Sequence, residues 1–523
     1  VSANGTPGGP PARPPGAVRD RVREVVTRAP GGLAAAALPL VVYLATLLPG
    51  VGHSGDSAEL SMAARLLAVP HPTGYPLYIG LVHVLGRLLP VSPALAANAF
   101  SALCAVAALF VCWRVLRELG ARTPAALAAV WTLAFSPTLW RHAVVAEVYA
   151  LHALLLALAA LLFIRWARHA RERDFYAACA VYALAFGNHL LMATTLPAVV
   201  VLVMWVRPRA FLQPARVAAV AVIVALCASQ YALVLARGAE GAAPYRAEPI
   251  DGVPGLVAFV TGAKFHGDMF AFGAGQLWGV RLRDYVDTAL QELAPLAFFA
   301  PLGVAALGRT PAGVFLLLAY AGNLAFALGY DISDLPPYFI PNHLLAALVA
   351  GVGLDALLRR LEPASPRHAR AVAVVALVSP LALAAVRLPG IVAATGRDAA
   401  APAAALLDGL GPETVLIAEY HHYQFLLYYR LAEGRAPDGP HLAHDAVDLA
   451  DVAAYLRDGR PLELPHFGLT VPPGYAVYSQ KIFAARRFER AGLRVEPWHH
   501  DLYRLTAADT GGAPPPGATA LGP

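Results

Sequence analysis

The sequence predicts an all-α polytopic membrane protein carrying a small exported α/β domain near its C-terminal end, and three observations predict it. Of 523 residues, 58% are hydrophobic and only 14% charged, against about a quarter charged in a soluble chain. Apolar runs recur along the first 390 positions at close to the roughly 20 residues a helix needs to cross a bilayer. Basic residues gather in alternate loops between those runs, which is the topology signal of a multi-pass chain. The net charge of +6 is nearly all arginine, Lys264 and Lys481 being the only lysines, and its confinement to short loops argues against nucleic acid. Cys104, Cys112, Cys179 and Cys227 lie inside apolar runs without metal-ligand or redox spacing and read as small buried hydrophobes.

In chain order, residues 1–32 form a basic N-terminal segment, Pro/Gly-rich and disordered at its start. With no clear small-residue cleavage site after it, the first apolar run reads as a retained anchor. The region 33–390 holds eleven predicted spans: Leu33–Gly50, Ala94–Trp113, Pro124–Leu139, Val148–Ile164, Phe175–Gly187, Leu190–Val206, Val217–Ala236, Leu293–Gly308, Ala312–Gly329, Tyr338–Leu358 and Ala371–Val386. Counted this way, one set of connections carries twenty basic residues and the other, before Arg387, eight over far more chain. The N-terminus is therefore expected inside, and the loops 51–93 and 237–292 outside with the C-terminal region. Tyr78–Leu89 suits an interfacial amphipathic helix, with Leu81, Leu85, Leu88 and Leu89 apolar and His83 and Arg87 one turn apart. Residues 395–507 carry most of the remaining charge, with strand-like Thr414–Ala418 and Tyr475–Ser479 and helical Val447–Arg457, and 508–523 read as a disordered tail.

On this topology the acidic and histidine-bearing clusters near the membrane fall on the outer face, where ionisable groups are costly and are usually kept for function. The first outer loop reads Gly55-Asp56-Ser57-Ala58-Glu59, then Pro70-His71-Pro72-Thr73-Gly74-Tyr75-Pro76. Asp56 and Glu59, three apart, share a helical face and are candidate catalytic acids; Asp56 equally resembles a helix N-cap. The proline-bounded turn presents His71 and Tyr75. The short spans around Gly187-Asn188-His189 carry His189 to headgroup depth.

These residues also carry a resemblance. Gly55–Glu59 with His71-Pro72-Thr73-Gly74-Tyr75-Pro76-Leu77-Tyr78, then Ser136–Trp140 leading to Ala146-Glu147-Val148-Tyr149, the Gly187–His189 hairpin, and Tyr330-Asp331-Ile332 with Tyr338–Pro341 resemble, in order, a membrane family formerly without an assigned function. Its animal member is an endoplasmic-reticulum protein O-mannosyltransferase acting on plexin-type receptors. The resemblance covers roughly Leu33 to Asp355. It implies a GT-C glycosyltransferase fold that takes a sugar, mannose in that branch, from a polyprenyl phosphate at the outer leaflet.

By that resemblance Asp56 is the general base that accepts a serine or threonine proton, with Glu59 orienting it or the acceptor and standing as the reserve base. His71, Arg141, His142 and His189 are candidate contacts to the departing phosphate. Tyr75, Trp140, Glu147, Asp331 and Asp334 are candidate substrate contacts. No metal site is suggested by the Asp331/Asp334 spacing, and no cofactor is expected beyond the lipid-linked sugar. Plainer readings stand beside these: Arg141 at the headgroups, Trp140 in the aromatic belt, Tyr75 packed in its turn, Glu147 favouring a helix N-terminus. The expected partners are the membrane lipid donor and an exported protein or glycan acceptor. Animal relatives carry a larger lumenal region, so the acceptor does not follow from the family. The Arg-rich, Lys-poor composition fits a high-GC bacterium, with the outer side at the periplasm. The runner-up activities are transfer to a lipid or cell-wall glycan and, in another class, a transporter or flippase; against the latter, the spans hold almost no charge and the polar groups gather at one face.

Overall fold

The computed structural model describes residues 16–239, 241–464, 469–480, 485–499 and 502–508. The expected disorder at the start of the N-terminal segment and in the tail from Asp509 lies outside the described residues. The eleven predicted apolar segments fall largely on helix. Five helices are long and apolar enough to cross a membrane: Pro93–Glu118, Tyr149–His169, Pro214–Gly238, Pro311–Gly329 and Pro366–Thr395, with a bent pair making a sixth if taken as one span. Shorter apolar helices include Gly31–Ala45, Pro76–Leu88, Thr123–Ala134 and Leu190–Val206. The protein is a multi-pass membrane protein.

Three predicted segments break, each at an identifiable residue. Pro124–Leu139 stops at Ala134, because Pro137 starts a new short helix, Pro137–Ala143, after the extended Ser136. Around Pro295 the helices Ala274–Leu293 and Leu296–Leu307 meet at 105°, with Ala294 held extended (φ −65°, ψ 146°) before the proline. Leu190–Val206 opens as a 3-10 turn over Leu190–Thr195 before its α-helical part. The first helix, in contrast, begins at Gly16, well before the predicted start at Leu33.

Burial sorts the helices into centre and rim. The apolar window of Tyr149–His169 is 72% buried and that of Pro93–Glu118 61%, whereas Pro214–Gly238 and Pro366–Thr395 are each only 6% buried, leaving their apolar faces to lipid. Helices Ala300–Leu307 and Ile340–Ala364 pack backbone to backbone. A Cβ on Gly303 would lie 1.9 Å from the Val349 carbonyl oxygen, and one on Gly353 2.0 Å from that of Phe299, so glycine is what permits the contact. At the end of the bundle away from Asp56, Arg122 Nε donates to Asp355 Oδ1 (2.8 Å) and Arg359 Nε to Asp355 Oδ2 (2.6 Å).

The C-terminal region is an α/β unit. Strands β1 (Thr414–Ala418), β2 (His441–His444), β3 (Leu462–Leu464), β4 (Leu469–Val471), β5 (Ala476–Gln480), β6 (Leu493–His499) and β7 (Leu502–Ala507) form a five-stranded sheet, order β2-β1-β5-β7-β6, and a β3-β4 pair. β1 runs parallel to both β2 and β5, with β7 antiparallel to β5 and β6. Val415, Ile417, Val452, Val477 and Leu505 are among its buried core. This unit docks on the segment 51–66. Asp398 accepts from the Val51 and Ala400 N–H groups (3.3 and 2.9 Å) and from the Tyr429 hydroxyl (2.7 Å). Helix Tyr420–Leu427 lies against helix Gly55–Leu66, and a Cβ on Gly55 would come within 3.0 Å of the His421 Cα.

Candidate functional site

Helix Gly55–Leu66 starts from Ser54, whose Oγ accepts the Asp56 N–H (3.2 Å). Ser54, and not Asp56, is therefore the N-cap. Asp56 sits in the first turn, where the helix dipole favours a carboxylate and the side chain is free to face a cavity. Its neighbour Glu59, one turn on, is fully buried and does not close a capping box. It accepts instead from the Tyr245 hydroxyl at Oε1 (2.5 Å), from the His71 backbone N–H at Oε1 (3.0 Å) and from the His71 ring Nδ1 at Oε2.

The turn 70–75 brings His71 to this pair. Its other ring nitrogen lies 2.9 Å from the Tyr75 oxygen, and the Tyr75 hydroxyl donates on to the Pro72 carbonyl (3.3 Å). Both ring nitrogens thus face acceptors, which an imidazolium satisfies. Burial alone would depress the His71 pKa; the Glu59 carboxylate, helped by Asp56, reverses that and raises it to about 9. Burial likewise favours neutral Glu59, but the charge of His71 and the hydrogen bonds from His71 and Tyr245 hold the acid below its usual range. The result is a buried ion pair behind Asp56.

The C-terminal unit completes the arrangement. Tyr420 donates to Asp56 Oδ1 (2.8 Å) and lies 3.1 Å from Glu59 Oε2. The Gly55 N–H donates to His421 Nδ1 (2.8 Å), and Gln424 Nε2 donates to the Tyr245 oxygen (3.1 Å). One ligand atom each from Asp56, Glu59 and His71 lie within 4.8 Å of one another, the cation-holding geometry found among the described residues. Each of these side chains already has protein partners, so an ion there would compete with the Glu59–His71 contact.

A cavity of about 540 Å³ opens beside Asp56, and His71, Tyr75, Glu147, His189 and Asp334 also line it. Burial, then the charges of Asp56 and Asp334, push the Glu147 carboxyl well above the usual carboxylate range. His189 Nδ1 accepts the Leu191 N–H (3.0 Å), which fixes the ring among Tyr75, Tyr149 and Tyr338 at centroid distances of 6.1, 5.6 and 5.6 Å.

Other sequence candidates lie elsewhere. Trp140 is 1% exposed in the helical core, donating to Thr46 Oγ1 (2.9 Å) beside Tyr43 and Phe135; its size and apolar surroundings make it a packing residue and neither a cavity wall nor a belt residue. Arg141 is exposed and does not line the cavity. His142 donates from Nδ1 to the Thr138 carbonyl (2.7 Å) and meets Tyr149 edge-on, behind the lining. Asp331 is exposed, and only its backbone is tied in, to Asp268 (2.9 Å). Conversely, Lys264 and His266 line the cavity from the segment Ala263–Asp268. Lys264 is ion-paired with Glu248. Its being one of two lysines in the chain was the signal available for it. For Tyr420, 364 positions from Asp56, there was none.

Residues 56–211 match the model of the protein O-mannosyl-transferase TMEM260 N-terminal domain. The mouse protein O-mannosyl-transferase TMEM260 is 36% identical over 160 residues, which are 29% of this chain and 22% of the mouse protein, so the match spans about a fifth of that relative. ArnT from Cupriavidus metallidurans, in its crystal structure bound to undecaprenyl phosphate, aligns with a TM-score of 0.56 at 15% identity, covering 92% of this chain and 98% of ArnT. The apo ArnT structure gives 0.53 at 16% identity over 94% and 100%. At that identity the likeness is one of fold, and the chain has the ArnT-like GT-C fold.

Proposed function

We propose that the protein is a polyprenyl-phosphate-dependent glycosyltransferase that moves a sugar, mannose by analogy with its O-mannosyltransferase relative, to a serine or threonine hydroxyl of an exported protein. The observation that carries this reading is the convergence of Asp56, His71 (paired with Glu59 behind it) and Lys264 on one cavity, in a fold shared with a protein crystallised with undecaprenyl phosphate. The N-terminus is then cytoplasmic, and the cavity and C-terminal unit face the periplasm.

The acceptor oxygen attacks the anomeric carbon as its proton passes to Asp56. The bond from that carbon to the phosphate oxygen breaks, and the polyprenyl phosphate leaves with the bonding electrons. A single displacement inverts the anomeric centre. Asp56 suits the base because it reaches the cavity and is held by Tyr420 from one side only; Glu59 is consumed by its ion pair with His71 and keeps the acidic end of the helix in place. Lys264 and His266, which line the cavity, are the groups suited to meet the charge that grows on the leaving phosphate, and electrostatic stabilisation of that charge is the larger share of such catalysis. Glu147 can hydrogen-bond the sugar, and Tyr75, Tyr149 and Tyr338 offer ring faces to it.

Incubation in detergent with radiolabelled polyprenyl-phosphate mannose tests the reading. Wild type should transfer label to protein, and Asp56→Asn should lose about 10²-fold to 10⁴-fold in rate while remaining folded and binding the donor. Because Ser54 supplies the cap, full activity in Asp56→Asn sinks the assignment of Asp56 as base. Label in glycan or lipid instead of protein changes the acceptor.

A further inference from the structure

A second cavity, of about 630 Å³, lies between the segment 245–264 and the C-terminal unit. It shares His71, Lys264 and Tyr420 with the first cavity, so these three side chains form the partition between the two, and Glu59 is reached from the second side. The outer wall comes from the C-terminal unit. That wall contributes the carboxylates Asp448, Asp451 and Glu463, all exposed, and no lysine or arginine of its own among the described lining residues, while on the opposite side the cavity's Lys264 is paired with Glu248. Asp451 and Glu463 have no ion-pair partner among the described residues. Gln424, 2% exposed, also lines this cavity, and its side-chain oxygen has no hydrogen-bond partner among the described residues. A buried acceptor atom of this kind is satisfied by a donor supplied from outside the chain.

Resting on the transferase reading above, we infer that this second cavity receives the acceptor, and that its C-terminal wall selects a protein segment in which the reacting serine or threonine is flanked by lysine or arginine. The argument has three parts. The sugar donor needs the first cavity, with its cations and aromatic rings. The acceptor hydroxyl must reach Asp56 from another direction, and the second cavity ends at Tyr420, the residue whose hydroxyl donates to Asp56 Oδ1. An acceptor hydroxyl arriving there meets Asp56 beside the Tyr420 hydroxyl, which holds Oδ1. Finally, three carboxylates on one wall act together within a Debye length and favour cationic neighbours while repelling acidic ones.

The full-length protein in detergent micelles is titrated, at low ionic strength, against two threonine peptides of equal length carrying a neutral fluorophore, one with lysine flanks and one with glutamate flanks. Binding is read by anisotropy, so turnover is not required. The lysine-flanked peptide should bind about tenfold more tightly, with the margin shrinking as salt rises. In the triple variant Asp448→Asn, Asp451→Asn, Glu463→Gln the two peptides should bind alike. Asp448 caps helix Leu449–Asp458 through the Ala450 N–H (2.8 Å), and asparagine caps nearly as well, so an unchanged melting temperature is expected. Equal binding by wild type, or a preference that survives the triple substitution, overturns the inference. A wild type that keeps the preference yet transfers no sugar from any polyprenyl phosphate refutes the proposed activity instead.

Discussion

Replacing His71 with glutamine removes the charge that keeps Glu59 ionised while retaining a side chain of comparable reach. Glu59 is fully buried, and breaking a buried ion pair from one side costs about 3–5 kcal/mol. The raised pKa of His71 leads to a figure of the same size. Its pKa rises from 6.5 to about 9 on folding, and at 1.36 kcal/mol per unit that is about 3 kcal/mol of stabilisation. The sign follows from the direction: the folded state holds the proton more tightly, so the contribution is complete below about pH 6.5 and disappears as pH rises through 9. Glu59, held below its usual range, acts oppositely, contributing above its ordinary pKa and losing that contribution as pH falls through the lowered one. Wild-type melting temperature in detergent should therefore decline between pH 6.5 and 9.5, and His71→Gln should melt lower at pH 6.5 with little slope across the same interval. A flat wild-type profile, or a variant with the same slope, would show that the pair is not ionised and would refute the electrostatic reasoning.

Tyr420→Phe deletes a hydrogen bond to a carboxylate, a contact usually worth about 1.5–3 kcal/mol; sugar transfer should fall about tenfold or more with donor affinity unchanged, and a purely weaker donor affinity would place Tyr420 in the donor site. Gly353→Ala puts a Cβ 2.0 Å from the Phe299 carbonyl oxygen, so the two helices must part at a cost of about 1–3 kcal/mol. A melting temperature equal to wild type would mean the contact yields freely.

The helices were legible because burial in lipid demands long apolar runs, and Pro93–Glu118 and Pro311–Gly329 start within a residue of their predicted limits. Boundaries failed where a proline acted locally: Pro137 and Pro295 break runs that hydropathy reads as continuous. In the site, Asp56, Glu59, His71 and Tyr75 lie within twenty positions of one another, so spacing could group them. Trp140 and Arg141 are adjacent in sequence and diverge in space because neighbouring helical residues point about 100° apart, one into the core and the other to solvent. Tyr245, Tyr420 and Gln424 were invisible, since their roles arise from tertiary contact across 179 to 364 positions, and periodicity carries no information at that range.

The docking of helix Tyr420–Leu427 on the helix that bears Asp56 ties chemistry to the order of synthesis. The acids emerge within the first sixty residues, whereas the hydroxyl that clamps Asp56 and the amide that buttresses Tyr245 are made more than 350 residues later. A nascent chain halted before Tyr420 carries its carboxylates without their restraint and the cavity beside Asp56 without one of its walls. The geometry around Asp56 and Tyr245 is thereby complete only once the C-terminal unit has folded back upon the helix that begins at Gly55.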